Sequence, residues 1–357
     1  MLLILLPGQR ANAATLPEQR SDVLYHLYDG GGQTVQGPAL LLRKNFAEKM
    51  SVSAGYYIDQ ISGASIDVVT NASPYHEERR EITAGTDYLY RDTLMSASYT
   101  GSNEHDYKAR TYDFSVSQDM FENRTTLTLG YFQGNDRVGD VTNPSLDAKA
   151  NRNGYSVSVA QVINPTLIGN LSYEGTADDG YLQNPYRKVL VQHRYELQQY
   201  PGTRSGQAVS QKFVKSWSTR WSTRIDYRYY WDSWRVRAFN VGIGGSEYIL
   251  GNWILDGSYR YYTQQAASFY SDDFVQPQDY MTRDKELAHF HSHTLGAKLT
   301  APLYQRNPGS HAVVNSINVS FAFDYMIVGY QDFTDVRNSQ LYSFNAAIGQ
   351  IFFTVRY

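Results

Sequence analysis

Polar and apolar residues alternate along most of this chain, and that alternation constrains the fold more than any other feature. In residues 221–229 one parity reads Trp, Thr, Ile, Tyr, Tyr and the other reads Ser, Arg, Asp, Arg. Residues 253–261 and 317–325 repeat the pattern. Successive side chains of a β-strand point to opposite faces, so each segment would form a strand with one oily and one charged face. No comparable stretch has an apolar period of 3.6 residues, so the sequence predicts an all-β protein.

The connections between the alternating segments are short and long in turn. Short joints lie at positions such as 91–92 and 163–165, whereas long polar stretches cover 62–77, 134–152, 175–204, 265–287 and 329–340. Short turns on one rim and long loops on the other are typical of a transmembrane, antiparallel, up-and-down β-barrel of the bacterial outer membrane. Of the long stretches, 62–77 and 175–204 are expected to fold inward.

The alternating segments predict about sixteen strands, with fourteen to eighteen open because boundaries drift by about 2–4 residues. An even number brings both termini to the periplasmic rim. The predicted spans are 22–28, 34–45, 49–60, 78–90, 93–102, 107–119, 123–134, 153–163, 166–175, 205–214, 218–232, 234–246, 251–264, 288–300, 314–329 and 341–357.

Composition excludes several other classes of protein. The 357 residues contain no apolar run of about 18, so a helical membrane protein is excluded. The chain has no Cys, which removes disulfides, thiol catalysis and zinc–thiolate sites. A net charge of −3 without a basic run gives no reason to expect nucleic acid as a partner.

A soluble β-sandwich would alternate too, but two features favour the barrel. Tyr and Trp concentrate near strand ends, as they do at membrane interfaces. The chain also ends on four residues that share one face and finish with an aromatic ring, Ile351, Phe353, Val355 and Tyr357. We interpret these four as an assembly signal. The expected partners are therefore the barrel assembly machinery, outer-membrane lipid and lipopolysaccharide.

The first fourteen residues are typical of an export signal. An apolar stretch at 2–6 is followed by Pro7-Gly8 and by the small-residue site Ala11-Asn12-Ala13. We predict a signal peptide over residues 1–14, with its positively charged n-region truncated, and a barrel over 15–357. The alternative is a buried N-terminal strand or helical turn.

Several longer strings suggest a family. They include Asp22-Val23-Leu24-Tyr25-His26, Asp179-Gly180-Tyr181-Leu182-Gln183-Asn184-Pro185-Tyr186-Arg187 and Arg283-Asp284-Lys285-Glu286-Leu287. These strings resemble an uncharacterised family of Gram-negative outer-membrane proteins, a domain of unknown function. The resemblance implies a β-barrel with no established activity and no assigned catalytic residues. Because its members neighbour a small lipoprotein, a thioredoxin-like protein and a flavin-transferring enzyme, it also suggests a small lipoprotein or a periplasmic redox protein as a partner.

If the oily parity faces lipid, a set of charged residues must face the lumen, because burying such charges in lipid costs several kcal/mol each. Both signs on the wall would create a transverse field that favours polar over strongly charged solutes. Ion pairs that brace a plugged barrel are an equally weighted alternative. The predicted lumen-lining residues are Asp87, Arg224, Asp226, Arg228, Asp256, Arg260 and Asp324.

Two other groups of charged or ligating residues have simpler interpretations than a metal site. His289, His291 and His293 share one strand face at a spacing of ~6.7 Å, so neighbours could share Zn²⁺ or Cu²⁺. Rim residues that meet headgroups are favoured instead, and neither a metal nor a cofactor is expected. The charged run 283–286 is predicted to be a local ion-pair patch.

The sequence gives little support to an enzyme. His76 beside Glu77 and His105 beside Asp106 could belong to a hydrolase site, but no Gly-x-Ser-x-Gly motif occurs. The prediction is therefore a porin-like or export conduit for a small polar solute, in the outer membrane of a Gram-negative bacterium. The alternative is a plugged barrel that acts as a scaffold for periplasmic partner proteins.

Overall fold

The computed structural model describes residues 14–63, 75–307 and 312–357. These described residues form eighteen strands and a short 3-10 helix, Lys285–Leu287. The strands are β1 (Arg20–Gly30), β2 (Gln33–Phe46), β3 (Met50–Gly63), β4 (Tyr75–Tyr90), β5 (Thr93–Asn103), β6 (Tyr107–Met120), β7 (Thr125–Val138), β8 (Ala148–Asn164), β9 (Leu167–Gly180), β10 (Lys188–Val191), β11 (Arg194–Leu197), β12 (Thr203–Ser216), β13 (Trp221–Asp232), β14 (Arg237–Ile249), β15 (Trp253–Gln264), β16 (Phe290–Gln305), β17 (Ser316–Asp335) and β18 (Gln340–Arg356).

Sixteen of these strands close into one antiparallel barrel. Each pairs with its neighbours in the chain, except that β9 pairs with β12 across the separate β10–β11 hairpin. The barrel closes where β1 pairs with β18, from Arg20 opposite Arg356 to Gly30 opposite Ala346. Among the described barrel strands, closure gives every strand a partner on both sides, which is the requirement for strands that cross a membrane.

The two rims of the barrel differ. One rim, here called the short-turn rim, carries both ends of the barrel sheet and turns such as the one between Tyr90 and Thr93. The other, the long-loop rim, carries the connections 181–202 and 265–289. One tight turn, Gly31-Gly32, also lies on the long-loop rim, and its positive φ angles of 61° and 84° are those a two-residue hairpin turn needs.

The outer surface of the barrel is apolar. Tyr227, Leu255 and Phe321 are each more than two-fifths exposed, and so are many residues of the same parity on other strands. In water such a surface would be an extended hydrophobic patch, whereas against lipid it is the expected face. No helix among the described residues is long and apolar enough to cross a membrane.

All sixteen predicted strands are confirmed, most within about two or three residues at either end. The main differences are at the long-loop rim, where β7, β8 and β17 continue into stretches predicted to be loops. Residues 175–204 were predicted to be one long loop, yet they contain the end of β9 and the β10–β11 hairpin. The predicted signal peptide lies almost wholly in residues 1–13, and most of the stretch 62–77 in residues 64–74; both are outside the described residues.

Candidate functional site

The seven charged residues predicted to line the lumen all lie on the face opposite the exposed apolar residues. In β13, Ile225 and Tyr227 are exposed, whereas Asp226 and Arg228 between and after them are half-buried. The same alternation separates Asp324 from Phe323 in β17. Because the barrel is closed, the face opposite the exposed residues is its inner face.

Several of these charges are paired across strands. Asp87, which is buried, accepts hydrogen bonds from Arg43 Nη1 at 2.6 Å and from Ser96 Oγ at 2.7 Å. Arg228 forms an ion pair with Glu174 at 2.8 Å. These inner-face charges are therefore fixed in position by partners on other strands.

The remaining five predicted lumen residues also lie on the inner-face parity. Asp256 accepts from Ser246 Oγ at 2.5 Å and lies 3.4 Å from Lys298 Nζ. Asp226, Arg224 and Asp324 each face a glycine of a neighbouring strand. A Cβ atom on that glycine would overlap the side chain, so each of the three side chains lies flat against the glycine backbone. Arg260 is exposed, with its guanidinium 6.0 Å from the centre of the Tyr262 ring.

The two signs of charge are segregated around the inner face, which the sequence did not predict. By strand parity, acidic residues predominate on β3–β9, where Arg79 and Arg152 are the cations among them. Cations outnumber acids on β12–β16, where the acids are Asp226, Asp232 and Asp256. The acidic wall carries Asp59, Glu81, Asp87, Asp113, Asp136, Glu174 and Asp178, and the basic wall carries Arg204, Lys212, Arg224, Arg228, Arg260 and Lys298.

Two long connections fold together at the long-loop rim into a unit that we call the loop cap, residues 181–202 and 265–289. Their backbones pair where Gln199 and Met281 exchange both hydrogen bonds at 2.9 Å. A fully buried cluster joins them further along: Val189, Val191, Phe274 and Met281. The loop cap is therefore folded structure with its own core.

An ion-pair network crosses the loop cap. Arg187, from the first connection, pairs with Asp284 and with Glu286, 3.0 Å away, in the second. Tyr200 donates to Asp284 at 2.9 Å, and burial, followed by the charge of Asp284, raises the pKa of this phenol. The prediction that 283–286 is a local ion-pair patch is wrong, because these side chains pair with residues far away in the sequence.

The loop cap also packs against the inner face of β17 and β18. Tyr330 and Tyr342 lie on the inner-face parity and are buried in a cluster with Ala288 and Phe333. Arg283 lies 4.5 Å from the centre of the Phe333 ring and donates to Thr334 O at 2.6 Å. The connection 265–289 therefore turns toward the lumen. Sequence reasoning had named 62–77, most of which lies outside the described residues, and 175–204, which contains the other connection of the loop cap. It did not name 265–289, and the signal it missed was the aromatic pair Phe269-Tyr270 in an otherwise polar stretch.

The carboxylates of the two histidine–carboxylate pairs considered for an enzyme, Glu77 and Asp106, lie at one corner of the rim. His105 donates its backbone N–H to Glu77 Oε1 at 3.1 Å, and Asp106 accepts from Tyr186. In the described part of the chain, the carboxylates of Glu77, Glu104 and Asp106 lie within 4.8 Å of one another and could share a cation. Burial, and then the nearby charge of Glu77, raises the pKa of Glu104. The side chain of His76 is outside the described residues.

The three histidines of the predicted rim cluster are partly buried, and His293 lies beside two tyrosines. His293 Nδ1 lies 2.7 Å from the Tyr259 hydroxyl, and its ring centre is 5.8 Å from that of His291. His289 donates its backbone N–H to Asp332. These contacts neither test nor require a metal ion at this face.

The residues of the predicted assembly signal lie in and just after the strand that closes the barrel. Ile351 and Phe353 point outward and are exposed, at positions opposite Tyr25 and Val23 of β1. The Tyr357 hydroxyl lies 3.0 Å from Ser21 Oγ. The first strand is thus joined to the final strand along its whole length.

A closed sixteen-stranded barrel with an apolar outer face, a charged inner face and folded loops on one rim has the architecture of an outer-membrane channel protein. The chain belongs to a family described as "Protein of unknown function (DUF3570)", whose model matches residues 6–153 and 140–311. The predicted family resemblance is therefore confirmed. No curated protein matches this chain.

Solved structures of outer-membrane proteins are similar to this chain over most of its length. A bacterial polysaccharide outer membrane secretin is 10% identical over 94% of this chain and 98% of its own, with a TM-score of 0.51. The CymD monoaromatic hydrocarbon channel is 9% identical over 96% of this chain and 89% of its own, with a TM-score of 0.46. The Pseudomonas aeruginosa outer membrane protein opdK is 10% identical over 96% of this chain and 100% of its own, with a TM-score of 0.46. At these identities the likeness concerns the fold alone.

Proposed function

We propose that this protein is a porin-like or export conduit for a small polar solute in the outer membrane of a Gram-negative bacterium. The long-loop rim would face the outside of the cell and the short-turn rim the periplasm, as in other outer-membrane barrels. The observation that carries the proposal is the segregated charge on the inner face. A barrel of this strand number is wide enough for an aqueous path, and the charged side chains of its inner wall favour contact with water.

The charge pattern favours a class of solute. Acidic residues on β3–β9 face cations on β12–β16 across the bore, which sets up a field perpendicular to the path. A dipolar or zwitterionic solute can align in such a field, whereas an ion of either sign is attracted to one wall and repelled by the other. The loop cap would narrow the outer mouth and restrict the solute to a small one.

Ion selectivity tests this proposal directly. Arg228 belongs to the basic wall, so Arg228→Glu should shift the reversal potential of the reconstituted channel toward cation selectivity. The control Arg237→Glu changes the same charge on the outer face of β14 and should leave the reversal potential unchanged. Equal reversal potentials for the wild type and both variants would contradict the proposal that Arg228 lines the conducting path.

A scaffold that binds periplasmic partner proteins is the second candidate, and the loop cap is what favours it. The buried contacts of Phe333 and Tyr342 with the cap bring folded structure against the inner wall. If the cap closes the mouth, a correctly folded barrel would show no current steps in a planar bilayer. Capture of a small lipoprotein or a redox protein at the short-turn rim would then support the scaffold.

A further inference from the structure

A row of basic side chains crosses five neighbouring strands near the long-loop rim. In the antiparallel register Arg80 lies opposite Asn103, Asn103 opposite Lys108, Lys108 opposite Arg137, and Arg137 opposite Lys149. Adjacent strands are ~4.8 Å apart, so the row extends over ~19 Å. We call these four cations, together with Arg110 on β6, the basic row.

The basic row lies on the outer face of the barrel. Lys108 and Arg110 share the parity of exposed Phe114, and Lys149 shares the parity of exposed Tyr155. The Arg80 side chain is 63% exposed and the Arg137 side chain 62%. The row is thus separate from the charges of the inner face.

The basic row is under-neutralised by the protein itself. Arg80 pairs with Glu78 at 2.5 Å, and Arg137 lies 3.7 Å from Asp147. Within the described ranges, Lys108, Arg110 and Lys149 make no ion pair. Like charges placed directly opposite each other in a sheet repel, so the register of Lys108, Arg137 and Lys149 is unfavourable unless an external anion joins it.

The row lies just beyond a girdle of tyrosines. The Tyr99 and Tyr112 rings are 5.2 Å apart, and the Tyr155 and Tyr173 rings 6.1 Å apart, on the outer face of the same region. Tyrosines at this position mark the boundary of the hydrocarbon layer. With ~3.4 Å per residue and a strand tilt of ~40°, the cations lie about 5–15 Å above the girdle, at headgroup level and just beyond.

We propose that the basic row binds the phosphate groups of lipopolysaccharide in the outer leaflet. Arginine and lysine form charge-assisted hydrogen bonds with phosphate, and a linear row suits an anionic headgroup layer. At the same end of β13–β16 the outer face carries Tyr229, Trp231 and Tyr261, and Arg237 is the one Arg or Lys of these described strands there. Lipopolysaccharide would therefore attach to one side of the barrel. The inference rests on the proposed membrane placement but not on an open channel.

Binding of lipid A to the purified, detergent-solubilised barrel tests the proposal. The row variant is Lys108→Gln, Arg110→Gln and Lys149→Gln together. The matched control is Lys49→Gln, Arg91→Gln and Arg124→Gln, which removes the same charge from exposed positions at the short-turn rim. Native mass spectrometry would measure the affinity for bisphosphorylated lipid A and for its dephosphorylated form. Heat-modifiable gel mobility would verify that every variant is folded.

The wild type and the control should bind bisphosphorylated lipid A alike, and the row variant should lose affinity on the order of 100-fold. The wild-type affinity should also fall with added salt. Equal affinity of the row variant, equal loss in the control, or no preference for the phosphorylated lipid would each overturn the proposal. Conductance of the same preparations separates the channel hypothesis from the lipid-binding hypothesis. A barrel that binds lipid A but conducts no current would contradict the proposed channel and still support lipid binding by the basic row.

Discussion

Arg187 offers a direct test of how the loop cap is held. Its side chain and that of Asp284 are only 10% and 9% exposed, so their ion pair is shielded from water. Arg187→Met keeps the length of the side chain and removes its charge, which leaves a buried carboxylate. Removing one partner of a buried pair costs about 3–5 kcal/mol. Because Tyr200 and the Glu286 N–H still donate to Asp284, we expect the lower end of that range.

A cost of about 3 kcal/mol makes opening of the loop cap on the order of 100-fold more frequent. Hydrogen exchange would detect it at the backbone N–H groups that join the two connections, those of Gln199, Met281 and Phe274. The barrel strands should exchange as in the wild type. Arg194→Met removes an exposed cation from the same connection and serves as the control. Unchanged protection in Arg187→Met, or loss that extends through the strands, would refute this account of the cap.

Two further predictions concern the rim and the seam. The raised pKa of Glu104 means that the folded loop binds this proton more tightly than the unfolded chain does, so the loop should lose stability as the pH rises from about 4.5 upward. Glu104→Gln should remove that pH dependence and slow hydrogen exchange at residues 104–107 at neutral pH. If the stability of the loop in this variant still changes with pH, another group is responsible. Deletion of Tyr357 should lower the yield of heat-modifiable barrel in the outer membrane. Tyr357→Phe, which loses only the hydroxyl near Ser21, should assemble normally. Equal yields for the deletion and the wild type would show that the terminal ring is not part of the assembly signal.

The strands were predictable from sequence because each must satisfy two different solvents at once. Lipid on one side and water on the other impose a period of two residues, as Ile225-Asp226-Tyr227-Arg228 shows, and every strand carries the pattern independently of the rest. Parity also placed Asp226 and Asp324 on the face opposite the exposed apolar residues.

The loop cap could not be predicted in the same way. Arg187 and Asp284 are 97 positions apart in the sequence, and no periodic pattern links them. The connection 265–289 folds because Phe269 and Leu287 find apolar partners in other loops, which is a matter of three-dimensional packing. Segregation of charge between two walls likewise depends on which strands end up facing each other across the bore.

The junction between β1 and β18 has a consequence for biogenesis. Ser21 and Tyr357 touch although 336 positions separate them, so the cylinder cannot be completed until the last residues have left the ribosome and crossed the inner membrane. Until then two long edges with unmet hydrogen-bonding groups stay open, and such edges recruit other chains. A cell that makes this protein must shield a nearly complete sheet during its whole transit.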